Sequence, residues 1–348
     1  MRMEYLSMYR KNQEGGMNYK NKYIGNEDQL MTVQESVLCQ GRQKGVKMIH
    51  VENGGNLSVT ILPDRGMDIY QVRYKGKNLN YIAPSGVVAP EYYDPRGLEW
   101  LRNFYVGFMT TLGLQHFGGP RTVDGEERGL HGKASNAPAE DVRVTRGLEK
   151  GVPTVTVEGT MREAKIFGEN LRLHRTIKFF YEQDRMEITD TVENYGFVKQ
   201  PYVLGYHINY GWPLLDENTK VEIKSSAMKP RDEYAAGFPG SEKKVASPVS
   251  NWPERCYIYD MKGDKKGMTG YSIKNPKKGI GVNVSFPAKV LPKFCQWQYF
   301  TSGQYVMGLE PLCCEMDGPL VGEKKSPVPV LGAGESREYK LCFEFEGK

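Results

Sequence analysis

Two stretches of this chain alternate apolar and polar side chains residue by residue. Leu171, Leu173, Arg175, Ile177, Phe179 and Tyr181 alternate with more polar neighbours. Met186, Ile188, Asp190 and Val192 do the same against Glu187, Thr189, Thr191 and Glu193. Successive side chains of a strand point to opposite faces, so the pattern describes strands with one buried and one wet face. Shorter strand candidates lie at 46–51, 57–62 and 67–73, separated by Gly/Asn and Pro-Asp turns. Others follow at 201–207, 220–224, 256–261, 281–286, 294–300, 305–310 and 337–345. No segment shows a long helical period. Many strands joined by turns predict an all-β fold, a large antiparallel β-sandwich or barrel with few short helices. No linker divides the strands, so residues 46–348 read as one domain. Residues 1–45 read as an N-terminal appendage packing on the outside of that body. The region 83–140 reads as irregular.

The chain has 348 residues, with 13 Phe, 22 Tyr and 4 Trp to build a core. A formal net charge of +5 is small for this length, and the basic residues are interspersed with acidic ones. That pattern argues against nucleic acid as a partner. No apolar run reaches the roughly 18 residues of a membrane span, and the N-terminus lacks the apolar core of a secretory signal. The six cysteines, Cys39, Cys256, Cys295, Cys313, Cys314 and Cys342, include no CxxC pair. They read as reduced, mostly buried thiols, which points to a cytoplasmic protein.

Within 83–140, residues 112–140 are rich in glycine and charge and hold two of the five histidines, His116 and His131. Such a segment belongs at the surface and often lines a site, so it reads as the rim and floor of a pocket. His131 has glycines close on either side, which permit close approach of a ligand. On a strand, His207 shares a face with Gly205 and Asn209, a poor core face and a good pocket floor. Histidine can hold or give a proton near neutral pH, which suits His207 to general acid work. Glu310 ends an apolar strand candidate and precedes Pro311, as a positioned base or an edge charge that deters aggregation.

Sugar pockets combine aromatic walls with fixed polar groups. Trp100, Phe104, Phe117, Tyr210, Trp212 and Trp297 are candidates for the walls. Arg65 and Asp68, charged residues between apolar ones, are candidates for sugar hydroxyls or for a structural ion pair. Asn209 and His116 are further candidates for the substrate. His50 and His174 fall inside strand patterns and read as structural or exposed. No HxH or HxxxH spacing points to a metal.

Six short motifs then give a resemblance: PDRGMDI at 63–69, TLGLQHFGGP at 111–120, GLHGKASNAPAE at 129–140, VEN at 192–194, LGYHINYGWPLL at 204–215 and GLEP at 308–311. In order and spacing they resemble the galactose mutarotase-like superfamily, the aldose 1-epimerases. The match is closest to a bacterial branch of aldose 1-epimerase-like proteins with a domain of unknown function. The resemblance implies an open-grooved antiparallel supersandwich and a cofactor-free sugar epimerase. It makes His131 the first pocket histidine, His207 the general acid on the ring oxygen, and Glu310 the base on the anomeric hydroxyl. The family's hydroxyl-binding aspartate has no clear position here; Asp232 is the nearest candidate.

Two alternatives remain at this level. One is a non-catalytic carbohydrate-binding protein, which needs the aromatic walls but not the proton pair. The other is a metal-dependent keto-sugar isomerase, epimerase or lyase using His116, His131 and Glu310. The expected partner in each case is a small-molecule sugar. A phosphorylated sugar would require clustered cations, for which Arg65, Arg102 and Arg121 are the candidates.

Overall fold

The computed structural model describes residues 22–123, 125–316 and 328–347. It is an all-β fold in which two large antiparallel sheets enclose a common core. The larger sheet starts with Thr32–Val37, Lys47–Glu52, Leu57–Leu62 and Asp68–Tyr74, side by side in chain order. It continues through Met109–Leu114, Val203–Tyr210, Gln304–Leu312, Lys293–Thr301, Arg255–Met261 and Ser225–Pro230. The second sheet runs Glu140–Glu149, Val152–Ala164, Asn170–Phe180, Arg185–Asn194, Ser336–Gly347, Ile280–Pro287, Met268–Asn275 and Lys220–Ile223. Aromatic side chains interlock between the sheets. Tyr74 stacks on Phe345 at 5.9 Å, and Tyr210 and Tyr271 share a hydroxyl hydrogen bond of 2.9 Å.

The alternating segments form the second sheet. In Asn170–Phe180, Leu171, Leu173, Arg175, Ile177 and Phe179 are buried and their neighbours are wetter. Arg175 is tolerated in that row because its guanidinium is fully paired. It donates to Asp190 at 2.9 and 2.6 Å, to Asp68 at 3.2 Å and to the Gly66 carbonyl at 3.1 Å.

The region 83–140 is less irregular than the sequence suggests. Met109–Leu114 is a fully buried strand inside the larger sheet, so the glycine-rich stretch begins in the core. Both its faces are covered, which removes the alternation by which a half-wet strand is recognised. Residues 1–21 of the N-terminal segment lie outside the described residues. Thr32–Val37 adds an edge strand by pairing with Lys47–Glu52. Among the described residues the α-helix is one turn, Glu233–Ala236, and Asp232 caps it by accepting from the Ala235 amide at 2.9 Å. No helix among the described residues is long and apolar enough to cross a membrane.

Candidate active site

The strands Val203–Tyr210, Gln304–Leu312 and Lys293–Thr301 are neighbours inside the larger sheet. Their registers align one face. Gly205 pairs with Leu312 and Ile208 with Leu309, which puts His207 across from Glu310. Cys295 pairs with Glu310, and Trp297 with Gly308. Side chains directly opposite share a face, so His207, Glu310, Cys295 and Trp297 form one surface. His207 Nε2 lies 3.4 Å from Glu310 Oε1, and both residues are buried. Gly308 leaves a gap in this surface. A Cβ there would stand 2.6 Å from Glu310 Oε1, 3.1 Å from His207 Cε1 and 3.2 Å from Trp297 Cβ. Glu310 sits within an interior strand, so it is not an edge charge.

Above this floor opens a cavity of about 500 Å³. His131 enters from the loop side with its backbone at φ 59°, followed by Gly132 at φ 77°. A non-glycine residue in that region is strained, and such strain clusters at functional sites. The loop is held by reciprocal bonds to Gly118. The His131 amide donates to the Gly118 carbonyl at 3.0 Å, and the Gly118 amide donates to His131 Nδ1 at 3.3 Å. An amide can only donate, so Nδ1 is an acceptor and the neutral ring carries its proton on Nε2. Trp100, 4.9 Å from the His131 ring centre, and Phe104, 5.1 Å from that of His207, close one wall. Trp297, 5.3 Å from the His207 ring, supplies another.

Burial governs the charges. It lowers His207 to about 4. It lowers His131 well below the usual histidine range, helped by the nearby imidazole of His207. It raises Glu310 well above the usual carboxylate range, with Glu254 adding to the rise and Arg231 opposing it. The contacting His207–Glu310 pair therefore holds one proton between its members, and burial favours the neutral form with that proton on Glu310. His207 Nδ1 and Glu310 Oε2 have no hydrogen-bond partner.

The cavity also contains residues that the sequence did not single out. Arg231 donates to Glu254 at 2.8 Å, to Cys256 Sγ at 3.0 Å and to Asp232 at 3.0 Å. Trp297 Nε1 donates to the other Glu254 oxygen at 2.9 Å. Arg231 and Glu254 carry no local sequence signal, because charged residues between strands usually face only water. Cys256 and Cys295 read as core thiols, and they line the cavity as well.

Four sequence candidates lie elsewhere. Arg65 is buried, and its guanidinium donates to the carbonyls of Ser135 at 3.0 Å, Asn103 at 2.9 Å and Val88. It ties loops together and has no reach to a sugar. Asp68 lies between the sheets, accepting from the Thr111 amide at 3.0 Å and from Arg175. Burial pushes its carboxyl up to about 6, against the pull of the Arg175 guanidinium. Asn209 shares the His207 face but is wholly buried, donating to the His207 carbonyl at 2.9 Å and the Val106 carbonyl at 3.3 Å. His116 donates from Nε2 to the Gly119 carbonyl at 2.8 Å and lines a separate small cleft with Tyr93, Arg128 and Glu163. That placement parts it from the His131–Glu310 set. Among the described residues, no group of three or more His, Cys, Asp or Glu is arranged to hold a metal ion. Of the remaining aromatic candidates, Phe117 and Tyr210 are core residues and Trp212 is exposed. His50 and His174 bond to strand neighbours, Thr60 at 3.0 Å and Thr160 at 2.9 Å.

The profile of a family described as a domain of unknown function, DUF4432, matches residues 43–345. No curated protein matches the sequence. Among solved structures, a protein from Klebsiella pneumoniae named as a candidate aldose 1-epimerase is 24% identical with a TM-score of 0.84, over 93% of this chain and 87% of that one. A galactose mutarotase-like protein from Clostridium acetobutylicum is 15% identical with a TM-score of 0.66, over 91% and 98%. A galactose 1-epimerase from Lactobacillus acidophilus is 14% identical with a TM-score of 0.59, over 90% and 98%. The fold is the galactose mutarotase-like β-sandwich.

Proposed function

The chain belongs to the DUF4432 family, and on that premise we propose that it is a sugar epimerase of the aldose 1-epimerase type. One observation carries the reading. A histidine and a glutamate touch at 3.4 Å on the floor of an aromatic-walled cavity, with a second histidine beside them. Anomer exchange needs a base at the anomeric hydroxyl and an acid at the ring oxygen, acting in one opening step.

The proton balance fits that need. Ring opening uses the charged form of the pair. Glu310 as carboxylate takes the O1 proton, His207 as imidazolium gives its proton to O5, and the C1–O5 bond breaks to an aldehyde. This leaves neutral His207 and protonated Glu310, the form that burial favours. Rotation about C1–C2 then presents the other face of the aldehyde. On closure His207 takes the O5 proton while Glu310 returns one to O1, and no net proton is gained or lost. His131, a neutral Nε2–H donor, holds a sugar oxygen in this reading.

Polarimetry or exchange NMR on a panel of free aldoses tests the reading. The expected result is anomer exchange above the buffer rate that falls to the buffer rate in His207→Ala. No sugar exchanged faster than in buffer ends it, and sugar binding without turnover would instead identify a carbohydrate-binding protein.

A further inference from the structure

Two neighbouring loops at one end of the second sheet present apolar side chains to solvent. Residues 165–169 join Val152–Ala164 to Asn170–Phe180, and residues 195–199 follow Arg185–Asn194. Ala164 pairs with Asn170 and Leu171 with Asn194, which sets the two loops side by side. Asn170 ties them together. It donates from Nδ2 to the Tyr195 carbonyl at 3.3 Å, and its carbonyl accepts from the Tyr195 amide at 2.8 Å. On these loops Phe167 is 105% exposed, Phe197 97%, Ile166 83%, Val198 69% and Tyr195 51%.

Turns favour Gly, Asn, Asp and Pro. The Gly168 amide donates to the Lys165 carbonyl at 3.3 Å, so Ile166 and Phe167 occupy the centre of the first turn. Phe167 has φ 59°, a region where a bulky side chain is an outlier. Turn geometry and solubility both favour a small polar residue there, so an exposed phenylalanine calls for another reason. The second loop is held in shape by Asn194, whose Nδ2 donates to the Val198 carbonyl at 2.7 Å and whose Oδ1 accepts from the Gly196 amide at 3.0 Å. A patch held this way loses little freedom on docking.

We propose that these two loops form a self-complementary surface on which two copies of the chain pair about a twofold axis. The inference is independent of the epimerase reading. Area supports it. A fully exposed aromatic side chain offers about 200 Å² and an aliphatic one about 100 Å². Scaled by the exposures above, the patch offers about 650 Å² per chain, and two copies would bury about 1,300 Å², within the roughly 1,200–2,000 Å² of stable interfaces. Charge supports it as well. Lys165 pairs with Glu126 at 2.8 Å. Exposed Lys199 follows Val198, and exposed Glu335 borders Asn194, whose amide donates to the Glu335 carbonyl at 3.0 Å. A rim of both signs can face its own copy without net repulsion. A loop that enters a lipid surface is served by a basic rim, which Glu126 and Glu335 offset here.

Sedimentation velocity of the full chain from about 1 to about 100 μM tests the proposal. The wild type is expected to pass from monomer to dimer within that range. Phe167→Asn/Phe197→Ser is expected to dimerise at least about a hundredfold more weakly, with an unchanged circular dichroism spectrum. Asparagine accepts the positive φ of position 167, so this variant loses the patch without straining the turn. Ile166→Ser/Val198→Ser repeats the test with both phenylalanines in place. A wild type that stays monomeric overturns the proposal, whether the patch is then covered by residues 1–21 or 317–327 or by another protein. A dimer that survives both double substitutions overturns it too, because its contact lies elsewhere. Co-sedimentation of a monomer with phosphatidylcholine–phosphatidylglycerol vesicles, lost in the variants, would overturn it in favour of a lipid surface.

Discussion

Replacing Gly308 by alanine removes no functional group, yet it should cost most of the activity. The added Cβ would lie 2.6 Å from Glu310 Oε1, closer than real Cβ atoms approach, and 3.1 and 3.2 Å from His207 and Trp297. Glu310 is the far end of a side chain and is the group that would yield. It is buried and hemmed by Cys295 on the next strand, so it must turn away from His207. Separating a reacting pair by about 1 Å typically costs about a hundredfold in rate. Overpacking of this kind costs about 1–3 kcal/mol of stability, which a folded domain can absorb. The assay is kcat/KM for anomer exchange by NMR, alongside a denaturant midpoint to show that the variant is folded. A hundredfold loss in a folded protein is expected. A folded Gly308→Ala with wild-type kcat/KM would show that the His207–Glu310 contact is not the reacting geometry.

Four further outcomes follow from the same geometry. Glu310→Gln keeps the shape but cannot carry the proton, so kcat should fall by about 10²–10⁴ while calorimetric sugar affinity changes little; unchanged kcat would remove Glu310 from the chemistry. With His207 lowered to about 4, acid should protonate both members of the pair only near that value, so kcat/KM should hold as pH falls through 6.5 and drop near 4. A limb at 6.5 would contradict the burial of His207. The same shift has a stability consequence: the unfolded imidazole takes a proton near 6.5 and the folded one near 4, so acid between those values favours unfolding through this residue. Arg65→Met strands the carbonyls of Val88, Asn103 and Ser135, at an expected cost of about 3–5 kcal/mol. A wild-type denaturant midpoint would mean those loops hold without it.

The sheet that the sequence reveals most clearly is the one farther from the cavity. Asn170–Phe180 and Arg185–Asn194 alternate because one face meets core and the other water. Met109–Leu114 and Val203–Tyr210 are buried on both faces and carry no such period, although the second of them brings His207 to the floor. Glycine flanks and aromatic neighbours are local signals, and they single out His131, His207 and Trp100, all of which line the cavity. Arg65 and Asp68 give an equally suggestive local signal, a charge among apolar residues. What separates them from the cavity set is not local. Asp68 meets Arg175, 107 positions away, and Arg65 meets Asn103 and Ser135, 38 and 70 positions away. A charge between apolar residues reports burial, and only the fold decides whether it faces a ligand or a partner. Arg231 and Glu254 show the converse, charges from between strands that the fold turns towards the cavity.

Unsatisfied groups sharpen that distinction. A buried polar atom left without a partner costs about 1–3 kcal/mol, so its persistence calls for a reason. Asp68 Oδ2 is such an atom, but its other oxygen accepts from Thr111 and Arg175 and the residue does not line this cavity. Its cost is covered by holding two sheets together. His207 Nδ1 and Glu310 Oε2 are also unpartnered, and their residues line a cavity open to solute. A sugar seated on that surface brings polar hydroxyls beside the pair, which lower the cost of separating charge within it. Burial therefore disfavours the charged form of the pair, and a polar ligand would bring that form closer in energy. Binding and proton transfer would be coupled through that polarity. A shift of the low-pH limb of kcat, relative to kcat/KM, towards higher pH would register that coupling, because a bound sugar that stabilises the imidazolium raises the pKa of His207.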